Sequence, residues 1–301
     1  MIATRSRLAC THGLFVITAV MLSQGMLAPS VAAQSPAMQA RRLIYADSAI
    51  NAVALLKAAV QTGPDSAAYH VWLAAAYADI GSRSNFFAEI LYVNRIRSEL
   101  KRAIALDSTS IDAHSELSRF YLTAPSILGG SLSRAESESR KISAANPARS
   151  HGLLGYIAHH RGDLKTAERE MRAAIAAQPD SAWPYTGLAF LLGEEKRNDE
   201  AFVLWEKSVT VDSTFRESYF QMGLIGATTG THLDQSALAL EHYVANPPRR
   251  SDKHNIASAY NELGQVYEKQ GRVNDARRAY GQAVTLSPGS KTYKASLKAV
   301  G

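Results

Sequence analysis

His159 and His160 stand side by side, followed by Arg161-Gly162-Asp163, and are the residues of this sequence that most resemble the start of a metal site. Neighbouring side chains on a helix point about 100° apart, whereas helical ligand pairs sit at i, i+3 or i, i+4. The pair therefore reads as two histidines in the last turn of a helix that Gly162 ends, a position the helix dipole favours. His151, eight residues upstream, reads as a packing residue. No metal and no cofactor is expected. Covalent catalysis finds little to work with either. Cys10 is the only cysteine, and there is no G-x-S-x-G elbow and no G-x-x-x-x-G-K phosphate loop. Glu194-Glu195 adjoins Lys196-Arg197, so solvated ion pairs explain it better than an acid–base dyad. Gly129-Gly130-Ser131 imitates an anion nest but reads as a turn into a helix beginning near Ser133. These residues do not describe an enzyme.

The elements that carry them are helical. The 301 residues include 49 alanines, the best helix former, with hydrophobic residues at 46% and charged ones at 20%. That balance excludes a disordered chain, and a single cysteine excludes a disulfide scaffold. Residues 1–33 read as a signal peptide. Arg5 and Arg7 precede the nine-residue apolar run Leu14 to Leu22, and Val31-Ala32-Ala33 offers small residues for cleavage before Gln34. The run is too short to span a bilayer, and Cys10 precedes it, where a lipobox cannot lie. An uncleaved anchor is the alternative, against which Pro29 argues. The mature chain would have 268 residues, no cysteine, 31 Lys+Arg against 27 Asp+Glu and a charge of +4, with no transmembrane span. Export to the periplasm, or secretion, follows.

A repeat organises the rest. Tyr260, Leu263, Gly264, Tyr267, Ala276, Tyr280, Ala283 and Pro288 fall at offsets 4, 7, 8, 11, 20, 24, 27 and 32 of a 34-residue unit. Bulky residues at 4, 7, 11 and 24 fill the seam between two antiparallel helices. Small ones at 8, 20 and 27 let those helices approach, and proline at 32 stops the second. His151, Leu154, Gly155, Ala158, Ala167, Met171, Ala174 and Pro179 repeat the register, as do Tyr185, Leu188, Ala189, Leu192, Ala201, Trp205, Ser208 and Ser213. The unit holding Tyr219, Met222, Gly223 and Gly226 slips by two residues near Thr231, before Ala237 and Glu241. Two earlier units are expanded. One, with His70, Leu73, Ala74 and Tyr77, has a second helix about ten residues longer; the other, with His114, Leu117, Ser118 and Tyr121, carries five extra residues within 124–130. Ala52, Leu56, Ala59 and Pro64 make a half-unit, and Lys291 to Val300 a capping helix.

This pattern resembles the tetratricopeptide repeat (TPR) family over nearly all of residues 41–300. The resemblance implies an all-α, right-handed superhelical solenoid of about six helix-turn-helix units, with the N-terminal half-unit and the C-terminal cap. Its parts are 34–66, the half-repeat; 67–147, the two expanded units; 148–288, four units; and 289–301, the cap. The front half, with Trp72-Leu73-Ala74-Ala75-Ala76-Tyr77, Lys101 to Asp107, and Phe120-Tyr121-Leu122-Thr123-Ala124-Pro125, is similar to a subgroup of exported bacterial TPR proteins.

In the family, offsets 2, 5, 9, 12 and 13 of each first helix line the concave surface. Carried onto this sequence, the resemblance implies a groove with Tyr156, Trp183, Phe190 and Phe220 at its middle, Arg119 and Arg149 on the N-terminal side, and His159 beyond. The first expanded unit contributes Ala68, Val71, Ala75, Ala78 and Asp79, a small and bland wall. The implied activity is non-catalytic: aromatics take apolar side chains of a peptide or protein segment, and arginines take a carboxylate or carbonyl. Packing of those rings against neighbouring helices is the competing reading. No unit has the lysine and asparagine set of the carboxylate clamp of chaperone-binding domains, so that partner class is rejected.

Basic residues cluster at Arg95, Arg97, Lys101 and Arg102 and at Arg249, Arg250 and Lys253, without aromatic interleaving, so nucleic acid is not expected. The long helix also carries Phe86, Phe87, Ile90, Val93, Ile96 and Leu100. Those residues either fold over the N-terminal edge or form a dimer seam. A structural accessory subunit of an envelope or transporter assembly, docked through its convex face or this helix, is the alternative function.

Overall fold

Side-chain caps start many of the helices that the repeat demands. Ser110, Ser131, Asn146, Asp163 and Ser290 each accept a hydrogen bond from the backbone N–H three residues on, and Pro147 follows Asn146 at the first helical position. The computed structural model describes residues 35–84, 86–246 and 256–301. The signal segment with Cys10, and Arg249, Arg250 and Lys253, lie outside the described residues.

Fifteen α-helices and one 3-10 turn, with no strand, make up the regular structure among the described residues. They are α1 (Pro36–Tyr45), α2 (Ala49–Thr62), α3 (Ala67–Ser82), α4 (Phe86–Leu106), α5 (Ile111–Thr123), the turn Ser126–Leu128, α6 (Leu132–Lys141), α7 (Pro147–His160) and α8 (Leu164–Ala177). Then come α9 (Ala182–Glu194), α10 (Asn198–Val211), α11 (Arg216–Thr229), α12 (Leu233–Ala245), α13 (Ile256–Lys269), α14 (Val273–Leu286) and α15 (Lys291–Ala299). Consecutive helices pack as pairs, each pair stacks on the next, and α15 closes the end with Leu297 and Val300 against the α13–α14 core. The result is an all-α solenoid of TPR-like units with a capping helix. The half-repeat is more than its one helix, since α1 packs on α2 and buries Ala37 and Ala40.

Close approach of each pair depends on the small residue at offset 8. A Cβ on Gly155 would fall 2.8 Å from Met171 Cγ, and one on Gly264 would fall 2.5 Å from the Tyr280 ring. The turn between paired helices uses a left-handed residue at the same offset, namely Gly162, Lys196, Gly230 and Gly271 (φ 77°, 62°, 78° and 74°). Lys196 has no glycine's freedom there.

The slip in the unit after residue 216 is one residue, not two. His232 (φ 52°) adds a second left-handed residue to that turn. Ser236, Leu240 and Tyr243 then occupy the seam, with Leu240 against Gly223 and Ser236 against Gly226. Glu241 faces outward enough for Tyr267 Oη to donate to it at 2.7 Å. The chain absorbs the insertion in the turn because a single residue of error on a helix would rotate its apolar stripe by about 100°.

The 21-residue α4 folds back on its own solenoid. Leu100 is buried, and Val93 and Ile96 pack with Leu117, Phe120 and Tyr121. The five-residue insertion forms the 126–128 turn, which contacts α4. Gly129 (φ 100°) lies under the Arg97 guanidinium, and Ser131 donates its N–H to Tyr121 O at 2.7 Å before capping α6. Gly129-Gly130-Ser131 is therefore a helix-linking turn.

Candidate functional site: the concave face

First helices pack on first helices of neighbouring pairs (α1 on α3, α3 on α5, α5 on α7, α7 on α9, α11 on α13), and no second-helix pair packs comparably among the described residues. The first helices therefore line the inner side of the curve.

Its middle is filled by the protein's own rings. Trp183, on α9, lies over Gly152 of α7, where a Cβ would come within 2.2 Å of the indole. Tyr156, on α7, reaches Gly187 of α9 in return, its hydroxyl 3.2 Å from where a Cβ would stand. The space they leave, shared with Met171, Ala174 and Pro184, is about 10 Å³, scarcely room for one water. Burial pushes the Tyr156 hydroxyl above its ordinary range, against a weaker opposing effect of Arg119. Phe190 stands edge-on to Trp205 at 4.7 Å. Phe220 is 2% exposed, packed with Tyr243 at 5.5 Å, and corrects the expectation of a groove-facing ring. In both positions the second helix of the same pair supplies a large aromatic surface that the ring covers better than water does.

The polar groove residues pair with each other across units. Arg149, on α7, donates to Asp112 of α5 at 2.5 Å, and His159 Nε2 lies 2.6 Å from Glu194 Oε2 of α9. His160 stands edge-on to His159 at 6.1 Å. Among the described residues no group of three or more His, Cys, Asp or Glu side chains is placed to hold a metal ion.

An open hollow lies instead at the N-terminal end, between α3 and α5 with α4 as its floor. It measures about 170 Å³, slightly more than a cavity that admits benzene. Val71, Ala74, Ala75 and Ala78 form one wall; Phe120, Thr123, Glu116 and Arg119 form the other; Ile96 and Leu100 lie beneath. The side chain of Arg119 is 52% exposed and 3.6 Å from Glu116, an exposed pair worth about 0–1 kcal/mol. Of the expected aromatic and charged groove residues only Arg119 belongs to this hollow, but Val71, Ala75 and Ala78 of the expected bland wall line it as well. The small side chains of Ala75 and Ala78 create the space, a signal present in the bland wall but not recognisable without knowing what stands opposite.

A feature the sequence reading missed underlies these walls. In the first three full units, offset 4 holds a histidine beside carboxylates. His70 sits between Asp65 (Nε2, 2.8 Å) and Glu99 (Nδ1, 2.5 Å), and His114 between Glu138 (Nδ1, 2.6 Å) and the Ser108 carbonyl (Nε2, 3.0 Å). His151 does more than pack, with Nδ1 2.7 Å from Glu170. Burial tends to raise Asp65, but Arg102 and His70 outweigh it and hold the carboxyl below its usual value. Burial likewise tends to raise Glu170, but His151 and Arg169 outweigh it and hold the carboxyl below its usual value. Of the basic cluster, Arg102 is held by Asp65 at 2.9 Å, Arg95 lies over the Tyr77 and Tyr92 rings, and Arg97 donates to Asn94 at 3.0 Å.

Residues 257–290 match the family model for the tetratricopeptide repeat. The Cut9–Hcn1 hetero-tetramer of the APC/C is similar at 12% identity and a TM-score of 0.59, over 88% of this chain and 48% of that one. Pseudomonas aeruginosa pilF is similar at 16% identity and 0.53, over 76% and 95%. YrrB, a TPR protein with an unusual peptide-binding site, is similar at 16% and 0.50, over 66% and 97%. The chain spans about half the length of the Cut9 complex chain that it matches. No curated protein sequence matches it. At these identities the likeness is one of fold. Residues 257–290 thus match one TPR unit, and the class that the fold defines is an all-α solenoid of TPR-like helix pairs.

Proposed function

We propose that this chain is an exported interaction module that takes a peptide or protein segment on its concave face, with the α3–α5 hollow as the anchor point. The observation that carries this reading is the contrast in free space: about 170 Å³ at the hollow against about 10 Å³ among the central rings. An apolar side chain of the segment enters the hollow, and Arg119 takes a neighbouring carboxylate or carbonyl. The peptide-binding site of the structurally similar YrrB supports the general mode but not its position. Panning of a peptide library on the mature chain tests it. Ala75→Phe, which plugs the hollow at a half-buried position, is expected to weaken the selected peptides at least about tenfold, the loss of one well-buried anchor. Equal binding by that variant would displace the site. Export is tested by the N-terminus of the protein recovered from the periplasm, which this reading puts at Gln34.

A second reading rests on the other expanded element. Ile127 is 91% exposed on its inserted turn and Leu91 51% exposed on α4, which that turn contacts, so an accessory subunit could dock there. Ile127→Asp with Leu91→Asp would abolish assembly on that reading and leave peptide capture intact.

A further inference from the structure

The charge of this chain is gathered at one end. Residues 272–301, which carry α14 and the cap α15, hold six Lys and Arg against one Asp, whereas residues 34–271 hold 25 against 26. A carboxylate at Gly301 would still leave a surplus of four. Asp275, the one acid of this segment, is engaged by two of the six cations: Arg272 Nε donates to it at 2.7 Å, and Arg278 donates to its other oxygen. Arg277 donates to the Val300 carbonyl at 2.7 Å and to Asn274 Oδ1 at 3.4 Å, both neutral acceptors, so its charge stays uncompensated. Lys291, Lys294 and Lys298 are exposed, and among the described residues their ammonium groups have no partner. Spacings of three and four residues set them in one row along α15. Lys294 and Lys298 border an open hollow of about 400 Å³ together with Arg277, Leu297 and Gly301.

The rest of the solenoid treats its cations differently. Glu136 lies between Arg140 and Arg161, and Glu168 between Arg172 and Arg197, so acids separate the basic residues there. On the cap four uncompensated cations share one face, an arrangement whose self-repulsion an external anion relieves.

We propose that this face docks on an anionic phospholipid surface, with phosphodiester headgroups against Lys291, Lys294, Lys298 and Arg277. Three of the four are lysines, flexible point charges that follow mobile headgroups, whereas a shaped carboxylate partner is better met by the planar fork of arginine. A second copy stacked end to end is disfavoured by charge. The opposite end of the stack, α1–α2, carries Arg41, Arg42 and Lys57 against Asp47 and Asp65, so two positive ends would meet. No helix among the described residues is long and apolar enough to cross a membrane, so the attachment is peripheral and electrostatic. Each cation near an anionic surface strengthens partition about fivefold, and salt screens the effect. The α3–α5 hollow lies at the other end of the stack and stays open when the cap is docked.

Flotation of the mature chain with phosphatidylglycerol-containing vesicles tests this. Binding is expected there and not to pure phosphatidylcholine, and it is expected to fall as salt rises. The triple variant Lys291→Gln, Lys294→Gln, Lys298→Gln should bind about a hundredfold more weakly. Its side chains touch no partner, and an unchanged urea midpoint checks its fold. The triple variant Lys57→Gln, Lys165→Gln, Lys207→Gln changes the net charge equally at exposed lysines on three other helix pairs and should bind as the wild type does. Ala75→Phe should also bind vesicles normally, which separates this proposal from the peptide-binding one. No binding to the anionic vesicles, or an equal loss in both triple variants, overturns it. So does displacement by inorganic phosphate at constant ionic strength, which would mean a site for a free anion. Tighter binding to poly-glutamate than to the vesicles would mean an acidic protein partner and overturns it as well. If the cap variant does not fold, the lipid and salt dependence of the wild type decides.

Discussion

The first three full units and the last three solve one packing problem with different chemistry. Offset 4 must fill the seam between paired helices. In the front units a histidine does so and ion-pairs with a carboxylate: Glu99, Glu138 or Glu170. In the rear units a tyrosine does so with area. Tyr185 donates to the Pro179 carbonyl at 2.8 Å, Tyr219 stacks on His242 at 4.1 Å, and Tyr260 packs on the rear core. The rear seams add Trp205 and Tyr280, both buried. The same fold thus fills its offset-4 seam with histidine–carboxylate pairs at one end and with aromatic area at the other.

The largest expected effect falls on the rear. Trp205→Ala removes a side chain 2% exposed at the centre of the α9–α12 core and should cost about 3–5 kcal/mol in urea unfolding. If hydrogen exchange showed the front units losing protection equally, the two regions would be one cooperative body and the contrast would collapse. Gly264→Val drives a side chain into the Tyr280 ring and should cost about 1–3 kcal/mol, concentrated in α13–α14.

Acid gives a smaller effect that sharpens the difference. Asp65 and Glu170 titrate below their ordinary values of 3.8 and 4.5 in the folded protein. Their contribution is therefore present above those values and is lost as pH falls through the lower folded ones. Exchange in α3–α8 should accelerate over that interval, and Glu170→Gln should flatten the change around α7–α8. In the rear, Tyr267 is pushed up to about 12 by burial and by the Glu241 carboxylate, so it stays silent in acid. The smallest effect belongs to the turn between α9 and α10. Lys196→Gly relieves a left-handed lysine at a glycine position and should raise stability by about 0.5 kcal/mol, after glycine's own entropy is subtracted. A loss on thermal unfolding would mean that the Lys196 side chain contributes more than its strain.

Much of the architecture is legible in the residues. Gly155, Ala189 and Gly264 at one offset, with Met171, Trp205 and Tyr280 sixteen residues later, specify a helix pair whose backbones meet closely, because only a small residue leaves room for the large one opposite. The turn insertion before α12 is visible as a broken register, but its size is not. A two-residue slip fits Ala237 and Glu241 by type, whereas packing selects Ser236, Leu240 and Tyr243. The site is legible only in part. Offsets place Tyr156 and Trp183 on the inner face, as the first helices are. They cannot report that Gly152 and Gly187 stand opposite and receive the rings.

By itself the sequence determined the helices, their pairing and the order of the units, because local propensity, caps and the spacing of small and large residues act within one repeat. Only the tertiary structure decided where the concave face is open and which histidines meet oxygen atoms at both ring nitrogens. Both depend on atoms brought together by stacking. A hollow exists where the small side chains of α3 face the larger ones of α5, and a histidine bridge exists where a ring meets two oxygen atoms on other segments. Neither relation has a fixed spacing along the chain.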